Sequence, residues 1–242
     1  MKIDSNKKAL ILGASSDIGL KLIEIYLKNQ YKIIAHYNTG NKNFFKLVNS
    51  NKNKIKKIKF NFLTDLNQSE KFLKNKIFKN CSVLINALGY LKETNYPVLK
   101  LKDLENALKV NLFPGIYLTN KIGEEMNKKK WGRIVHLGSI GVKYGGGVSN
   151  FPYSLSKHSL EFIPSYTKRW IKNNVFINTV RVGATRTKLH SKLPSKNLKY
   201  RESLIPLKRM ANPKEIADFI FYIGSEKNSY ISNQILSISG GE

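Results

Sequence analysis

Cysteine is almost missing from this chain: among 242 residues only Cys81 carries a thiol. No intrachain disulfide can form, so the fold must hold by burial alone, as in proteins of reducing compartments. Histidine is nearly as scarce, and His36, His136, His158 and His190 stand too far apart to set a metal-ligand spacing. No metal is expected. No apolar run approaches the ~18 residues a membrane span needs. Met1 to Lys8 is too polar and too short for a signal peptide. A cytoplasmic protein without a membrane partner is the expectation.

Acidic side chains are also few, 16 against 42 lysines and arginines, which leaves a formal net charge of +26. Such a balance raises the question of a nucleic-acid surface. The excess is nearly all lysine, mixed with asparagine and isoleucine throughout, as in "NSNKNKIKKIKFN" and "NKKKWG". Arginine, the residue of bidentate phosphate and base recognition, occurs only at 133, 169, 181, 186, 201 and 209. The pattern reads as compositional bias, and no nucleic-acid partner is expected.

What is present is an alternation of β-branched runs with amphipathic stretches, the pattern of repeated βα units around a parallel sheet. Candidate strands are Ala9–Leu12, Lys32–His36, Ile55–Asn61, Ser82–Asn86, Gly132–Leu137, Val175–Arg181 and Gln234–Ile238. Candidate helices are Ile18–Lys28, Asn67–Phe78, Leu101–Met126, Tyr153–Lys172 and Pro213–Gly224. The expected fold is α/β, a doubly wound parallel sheet in three layers. With no linker or repeat in view, residues 1–242 are expected to form one domain. Two segments break the alternation: glycine-rich Gly141–Pro152 and basic Thr187–Met210. Irregular segments of that length are often functional.

The first strand runs into "GASSDIG", Gly13 to Gly19, and then a helix. Such a turn aims backbone N–H groups and the helix dipole at a phosphate. Gly13 would permit the tight turn, and Gly19 the close packing of helix on sheet. Asp17 would sit at the helix N-terminus, where its carboxylate could cap free N–H groups. A plain strand–helix turn with glycines is the alternative.

Tyr153 and Lys157 in "YSLSK" lie one helical turn apart, so both side chains point the same way. A neighbouring ammonium favours the phenolate and should bring the phenol pKa down toward neutral. A phenol so tuned can protonate a ketone or deprotonate an alcohol. Spacing alone does not select this pair, because Tyr96/Lys100 and Tyr117/Lys121 share it. Context does: only Tyr153 follows a buried-looking strand, "GRIVHLGS", ending in a hydroxyl residue, Ser139. Ser139 would stand at the strand's C-terminal end, where open α/β sheets bind ligands, and could donate to a developing oxyanion.

With these residues in hand, the chain resembles the compact, single-domain short-chain dehydrogenases/reductases, including 3-oxoacyl-carrier-protein reductases, over its whole length. "GASSDIG" is similar to the family's glycine turn, with Leu12 for its threonine and Asp17 for its middle glycine. "TDL" (Thr64 to Leu66), "LINALG", "KVNLFPG", "RVGATRT" and "LSISGGE" resemble its further segments, with Val182 where proline is usual. The resemblance implies a Rossmann fold and four catalytic residues. Tyr153 is then the acid/base, Ser139 polarises the carbonyl, Lys157 tunes Tyr153 and holds the nicotinamide ribose, and Asn111 holds a water. Cofactor contacts are implied for Gly13, Ser15, Ser16, Asp17, Ile18 and Gly19; for Tyr37, Asn38, Thr39, Asp65 and Leu66; for Asn86, Ala87 and Gly89; and for Tyr153, Lys157, Gly183, Thr185 and Thr187. Pro114 should distort the helix around Asn111, either to aim its backbone or as a tolerated kink. The Ser139–Tyr153 interval is one residue longer than usual, which Gly145-Gly146-Gly147 can absorb.

Tyr37 stands where NAD-preferring relatives carry an acid, and Asn38, Thr39 and Lys42 could receive a 2′-phosphate. NADP(H) is therefore expected over NAD(H), although Asp17 argues the other way. The implied activity is NAD(P)-dependent reduction of a ketone or oxidation of the alcohol. A dehydratase or epimerase, or a cofactor-binding protein without turnover, are the alternatives. The segment from about 187 to 210 is the implied substrate lid. From Arg186 to Arg209 it holds eight lysines and arginines against one acid, Glu202. That charge is either the chain's lysine bias on a solvated loop or the mark of an anionic substrate, such as a carrier-bound 3-oxoacyl group or a sugar precursor. Tyr144, Phe151 and Leu193 could supply apolar walls. The helices Leu101–Met126 and Tyr153–Lys172 correspond to those that pair relatives into homodimers or homotetramers, with Pro164 interrupting the second.

Overall fold

The computed structural model describes residues 7–188 and 197–242. Leu193, together with His190, Lys192 and Lys196, lies outside the described residues. The strands are β1 (Lys8–Leu12), β2 (Lys32–Tyr37), β3 (Ile55–Lys59), β4 (Val83–Asn86), β5 (Gly132–Leu137), β6 (Val175–Val182) and β7 (Gln234–Ile238). They form one seven-stranded sheet in the order β3-β2-β1-β4-β5-β6-β7, and every pairing is parallel.

Strands covered on both faces read as continuous apolar runs, and the pleat then sorts their residues between two cores. In β1, Ala9 and Ile11 face one core, which holds Leu22, Ile23 and Tyr26 of α1 (Asp17–Lys28) and Ile216, Ile220 and Phe221 of α8 (Pro213–Ile223). Leu10 and Leu12 face the other, with Leu118, Ile122 and Met126 of α5 (Phe113–Lys128) and Trp170. Each buried leucine, isoleucine, methionine or phenylalanine among them contributes about 1.5–3 kcal/mol.

The strands match the expected ones to within two residues at either end. The helices differ more. Leu101–Met126 is two helices, α4 (Leu101–Asn111) and α5, meeting at Leu112. Pro114 near the start of α5 cannot donate a helical N–H, which places the break beside Asn111. The expected helix Tyr153–Lys172 is not continuous: α6 (Phe151–Ser159) stops, and a 3-10 segment, Ser165–Asn173, follows Pro164. Asn67–Phe78 shortens to α3 (Leu66–Leu73) and a 3-10 turn at Lys76–Phe78. Two helices were not expected: α2 (Lys42–Asn49), capped by Asn41, and α7 (Leu198–Leu204), inside the irregular basic segment.

β1 lies centrally, and the chain crosses from β3 on its one side to β4 on its other. Leu12 and Asn86 stand side by side at the C-terminal ends of β1 and β4. Open α/β sheets hold ligands at this kind of reversal.

Candidate active site

Gly13 leaves β1 with a φ of +73°, and a Cβ there would lie 2.5 Å from the Ala87 carbonyl oxygen. Only glycine fits both conditions. The turn is held by His36. The Gly13 N–H donates to His36 Nδ1 at 3.3 Å, and the Ala14 N–H to the His36 carbonyl at 2.8 Å. Because Nδ1 accepts, Nε2 carries the proton and donates to the Phe60 carbonyl at 3.1 Å. Burial pushes His36 down to about 4, so it stays neutral. Gly19 packs so closely that a Cβ would lie 2.5 Å from the Gly13 carbonyl oxygen.

The cap of α1 is Ser16, whose hydroxyl accepts from the Gly19 N–H at 3.0 Å. Asp17 is the first helical residue and does something else: its Oδ2 accepts the Lys188 N–H at 2.7 Å. The carboxylate thus ties the segment after β6 to the glycine turn. Ser15 donates to the Thr39 carbonyl at 2.9 Å, joining the turn to the loop after β2.

A cavity of about 1130 Å³ runs from this turn to the end of β5. Ser15, Ser16, Asp17, Ile18, Asn38 and Thr39 line it with Gly13, as do Ala87, Gly89, Gly183, Thr185 and Thr187. Other expected cofactor residues lie elsewhere. The Tyr37 ring packs on Phe44 and Phe45, at 4.9 and 5.7 Å between centroids. Asp65 caps α3 by accepting the Gln68 N–H, and Leu66 is exposed. Gly19 and Asn86 sit behind the wall rather than in it.

Ser139, Tyr153 and Lys157 come together in the cavity wall. Ser139 follows β5, and its Oγ accepts the Gly141 N–H at 3.2 Å. Gly145 and Gly146, with φ of +70° and +85°, turn the chain back toward α6 and absorb the longer interval. The Ser139 hydroxyl stands beside the Tyr153 phenol and favours its ionised form. The expected downward tuning of Tyr153 is not found: burial pushes the phenol up to about 12, against a smaller lowering by Ser139. Lys157 Nζ donates instead to the carbonyls of Leu88 and Leu137, both at 2.7 Å. It lies 5.8 Å from the Tyr153 ring centroid, and burial pushes it down to about 7. Of the other tyrosines with the same spacing, Tyr96 is exposed on a 3-10 turn and Tyr117 lies in α5. Tyr144 also lines the cavity, while Phe151 packs on Tyr96.

Asn111, the last residue of α4, is fully buried. Its Oδ1 accepts the Tyr90 N–H at 2.7 Å, and its Nδ2 donates to the Tyr90 carbonyl at 3.0 Å and to Ser156 Oγ at 2.8 Å. It clamps the loop after β4 against α6.

Sequence reasoning missed a second buried chain of hydrogen bonds. Thr119 gives its hydroxyl proton to the Gly115 carbonyl at 2.8 Å and accepts from His136 Nε2 at 3.1 Å. His136 Nδ1 then accepts from Asn86 Nδ2 at 3.3 Å, and Asn86 Oδ1 accepts the Leu88 N–H at 3.4 Å. The chain ends on the residue whose carbonyl holds Lys157. Burial, with the Lys157 charge added, pushes His136 down to about 4. No spacing rule joins residues so far apart; only the pairing of β4 with β5 brings them together.

A family model described as Enoyl-(Acyl carrier protein) reductase matches residues 13–242. The chain is 32% identical to a 3-oxoacyl-(acyl-carrier-protein) reductase of Buchnera aphidicola over 100% of its own length and 98% of that protein's. It is 29% identical to an acetoacetyl-CoA reductase of an Acinetobacter species, covering 99% and 98%. A solved structure of a Serratia marcescens short-chain dehydrogenase/reductase variant superposes with a TM-score of 0.85 at 22% identity, over 97% of each chain.

Proposed function

The chain belongs to the short-chain dehydrogenase/reductase family as an NAD(P)-dependent oxidoreductase, and we propose that it reduces the ketone of a 3-oxoacyl thioester with NADPH. The observation that carries this reading is the Ser139–Tyr153 hydroxyl pair at one end of a cavity whose other end is a glycine turn. The acyl-thioester substrates in the names of the Buchnera and Acinetobacter relatives support the substrate class.

The residues present fit a dinucleotide. The cavity passes Gly13 and the N-terminus of α1, which suits a pyrophosphate, because the helix dipole favours an anion there. Asn38 and Thr39 line the cavity without an acidic side chain beside them, which supports a 2′-phosphate and so NADP. Lys157 would hold the ribose. When bound, the reduced nicotinamide supplies the hydride. The protein's own residues do the rest. Ser139 orients the carbonyl oxygen by a hydrogen bond, and Tyr153 gives that oxygen its phenolic proton. A phenol held at about 12 keeps this proton at neutral pH, as an acid must. The Thr119–His136–Asn86 chain fixes Leu88, one of the two residues whose carbonyls hold Lys157, and Asn111 fixes the same loop at Tyr90.

The test is oxidation of NADPH with an acetoacetyl thioester. Tyr153→Phe should lower kcat by about 10²–10⁴-fold with cofactor affinity unchanged, since only the transferable proton is removed. Undiminished turnover in this variant would overturn the assignment of Tyr153.

A further inference from the structure

Beyond the reacting groups, the cavity wall contains one ion pair that the chemistry above does not use. Arg201 of α7 and Glu242, after β7, line the same cavity as Ser139 and Tyr153. Arg201 Nη2 lies 2.5 Å from Glu242 Oε1, and the two side chains are 27% and 7% exposed. The backbone there is fixed: the Ser239 hydroxyl donates to the Glu242 carbonyl at 3.1 Å, and the Leu207 N–H to the Gly240 carbonyl at 3.1 Å. The neighbouring wall is apolar, with Leu204, Pro206 and Gly241.

Glu242 Oε2 is buried and has no hydrogen-bond partner among the described residues. A buried carboxylate oxygen without a donor is costly. The donor it lacks is one that a molecule in the cavity can bring. The contact with Glu242 meanwhile engages one of the five N–H donors of the guanidinium. The pair therefore offers an acceptor and donors side by side, with the two side-chain charges offsetting each other. An anion placed there would meet Glu242, and a cation would meet Arg201. A neutral group that both gives and accepts a hydrogen bond meets neither penalty.

We propose that the Arg201–Glu242 pair is a specificity element for a secondary amide or hydroxyl on the substrate, remote from its ketone. Glu242 Oε2 accepts the N–H or O–H, and Arg201 donates to the oxygen. The inference rests on the ketone reduction proposed above and narrows it, because Glu242 offsets the charge of one arginine of the basic segment where that segment meets the cavity.

The experiment compares two acetoacetyl thioesters that react alike: the N-acetylcysteamine ester, which carries an amide, and the S-butyl ester, which does not. The wild-type chain should favour the amide ester in kcat/KM by about 10–100-fold, the scale of a hydrogen bond to a charged group. Glu242→Ala and Arg201→Met should collapse that preference through KM, and Glu242→Gln should keep part of it. A hexulose forms the hydroxyl arm: Glu242-dependent KM there, without discrimination between the thioesters, identifies a hydroxyl as the group bound. Absence of any Glu242-dependent preference, or equal slowing of every substrate, overturns the inference. Calorimetry with the Tyr153→Phe chain saturated with NADP separates the two ideas. If the wild-type chain shows no turnover but Glu242 still governs binding of the amide ester, the reaction is wrong and the recognition stands; binding that ignores Glu242 overturns the recognition.

Discussion

Asp17 illustrates how one carboxylate can carry two opposed effects. Its charge lies in the cavity wall beside the glycine turn, where it would repel a bound phosphate, while its Oδ2 holds the Lys188 N–H at 2.7 Å. Asp17→Asn keeps an acceptor and removes the charge. It should tighten both cofactors, and NADP more than NAD, because the 2′-phosphate adds charge to be repelled. Asp17→Gly removes the tie as well, so its gain in affinity should be smaller wherever the segment after β6 helps close the site. Dissociation constants from nicotinamide fluorescence measure both. Equal changes for NAD and NADP in Asp17→Asn would show that its charge does not reach the phosphates. Tyr153 and Ser139 were legible as residues because a strand-end hydroxyl and a helical Tyr/Lys pair are local patterns. The state of Tyr153 was not legible. It depends on burial and on how closely Ser139 approaches, both set by packing.

At the scale of elements, the inner strands could be read because parallel strands covered on both faces are nearly unbroken apolar runs, while the largely exposed edge strands β3 and β7 showed only their β-branched residues. Helix limits were read less well. Pro114 and Pro164 marked the two interruptions, but the ends on either side lie inside sequences whose apolar spacing continues, and α2 is too short to show a period. Contacts between elements were further out of reach: His36 with Gly13, His136 with Asn86, and Arg201 with Glu242 all need the topology first. The docking of α5 gives a test of such a contact. A Cβ on Gly115 would lie 2.2 Å from Asn86 Nδ2, and one on Gly123 would lie 2.2 Å from Trp170 Cζ3. Both Gly115→Ala and Gly123→Ala should cost about 1–3 kcal/mol of stability by overpacking. Only Gly115→Ala displaces the amide that links His136 to Leu88, so only it should also lower kcat. Denaturant melts and NADPH oxidation on the same preparations check this. An equal fall in kcat for both variants would mean that general loosening, not the buried chain, controls turnover.

For the whole molecule, a formal charge of +26 and two buried neutral histidines act in the same direction as pH falls. Among the described residues no helix is long and apolar enough to cross a membrane. A lysine excess of this size repels itself. The histidines set the pH window. His36 and His136 titrate near 4 in the folded chain against about 6.5 when unfolded. Above 6.5 both states are neutral there, and the histidines do not make stability depend on pH. Between 6.5 and 4 the unfolded chain binds more protons, so stability must fall as pH falls. Each histidine sets a slope of about 1.4 kcal/mol per pH unit, or on the order of 3 kcal/mol across the window. Carboxylates held low, such as Glu215 at about 2 beside Arg209, lose their contribution only below the ordinary carboxylate range. The two effects are therefore separated in pH. Urea midpoints at pH 7, 5.5 and 4.5 should decline steeply, and His136→Asn should roughly halve the slope even though it lowers stability at pH 7. The loss belongs to folding rather than to the substrate, so it should appear equally with and without NADP, apart from the cofactor's constant offset. A flat profile from pH 6.5 to 4.5 would mean that these two rings are already charged in the fold, and that the tautomers holding Gly13 and Asn86 are wrong.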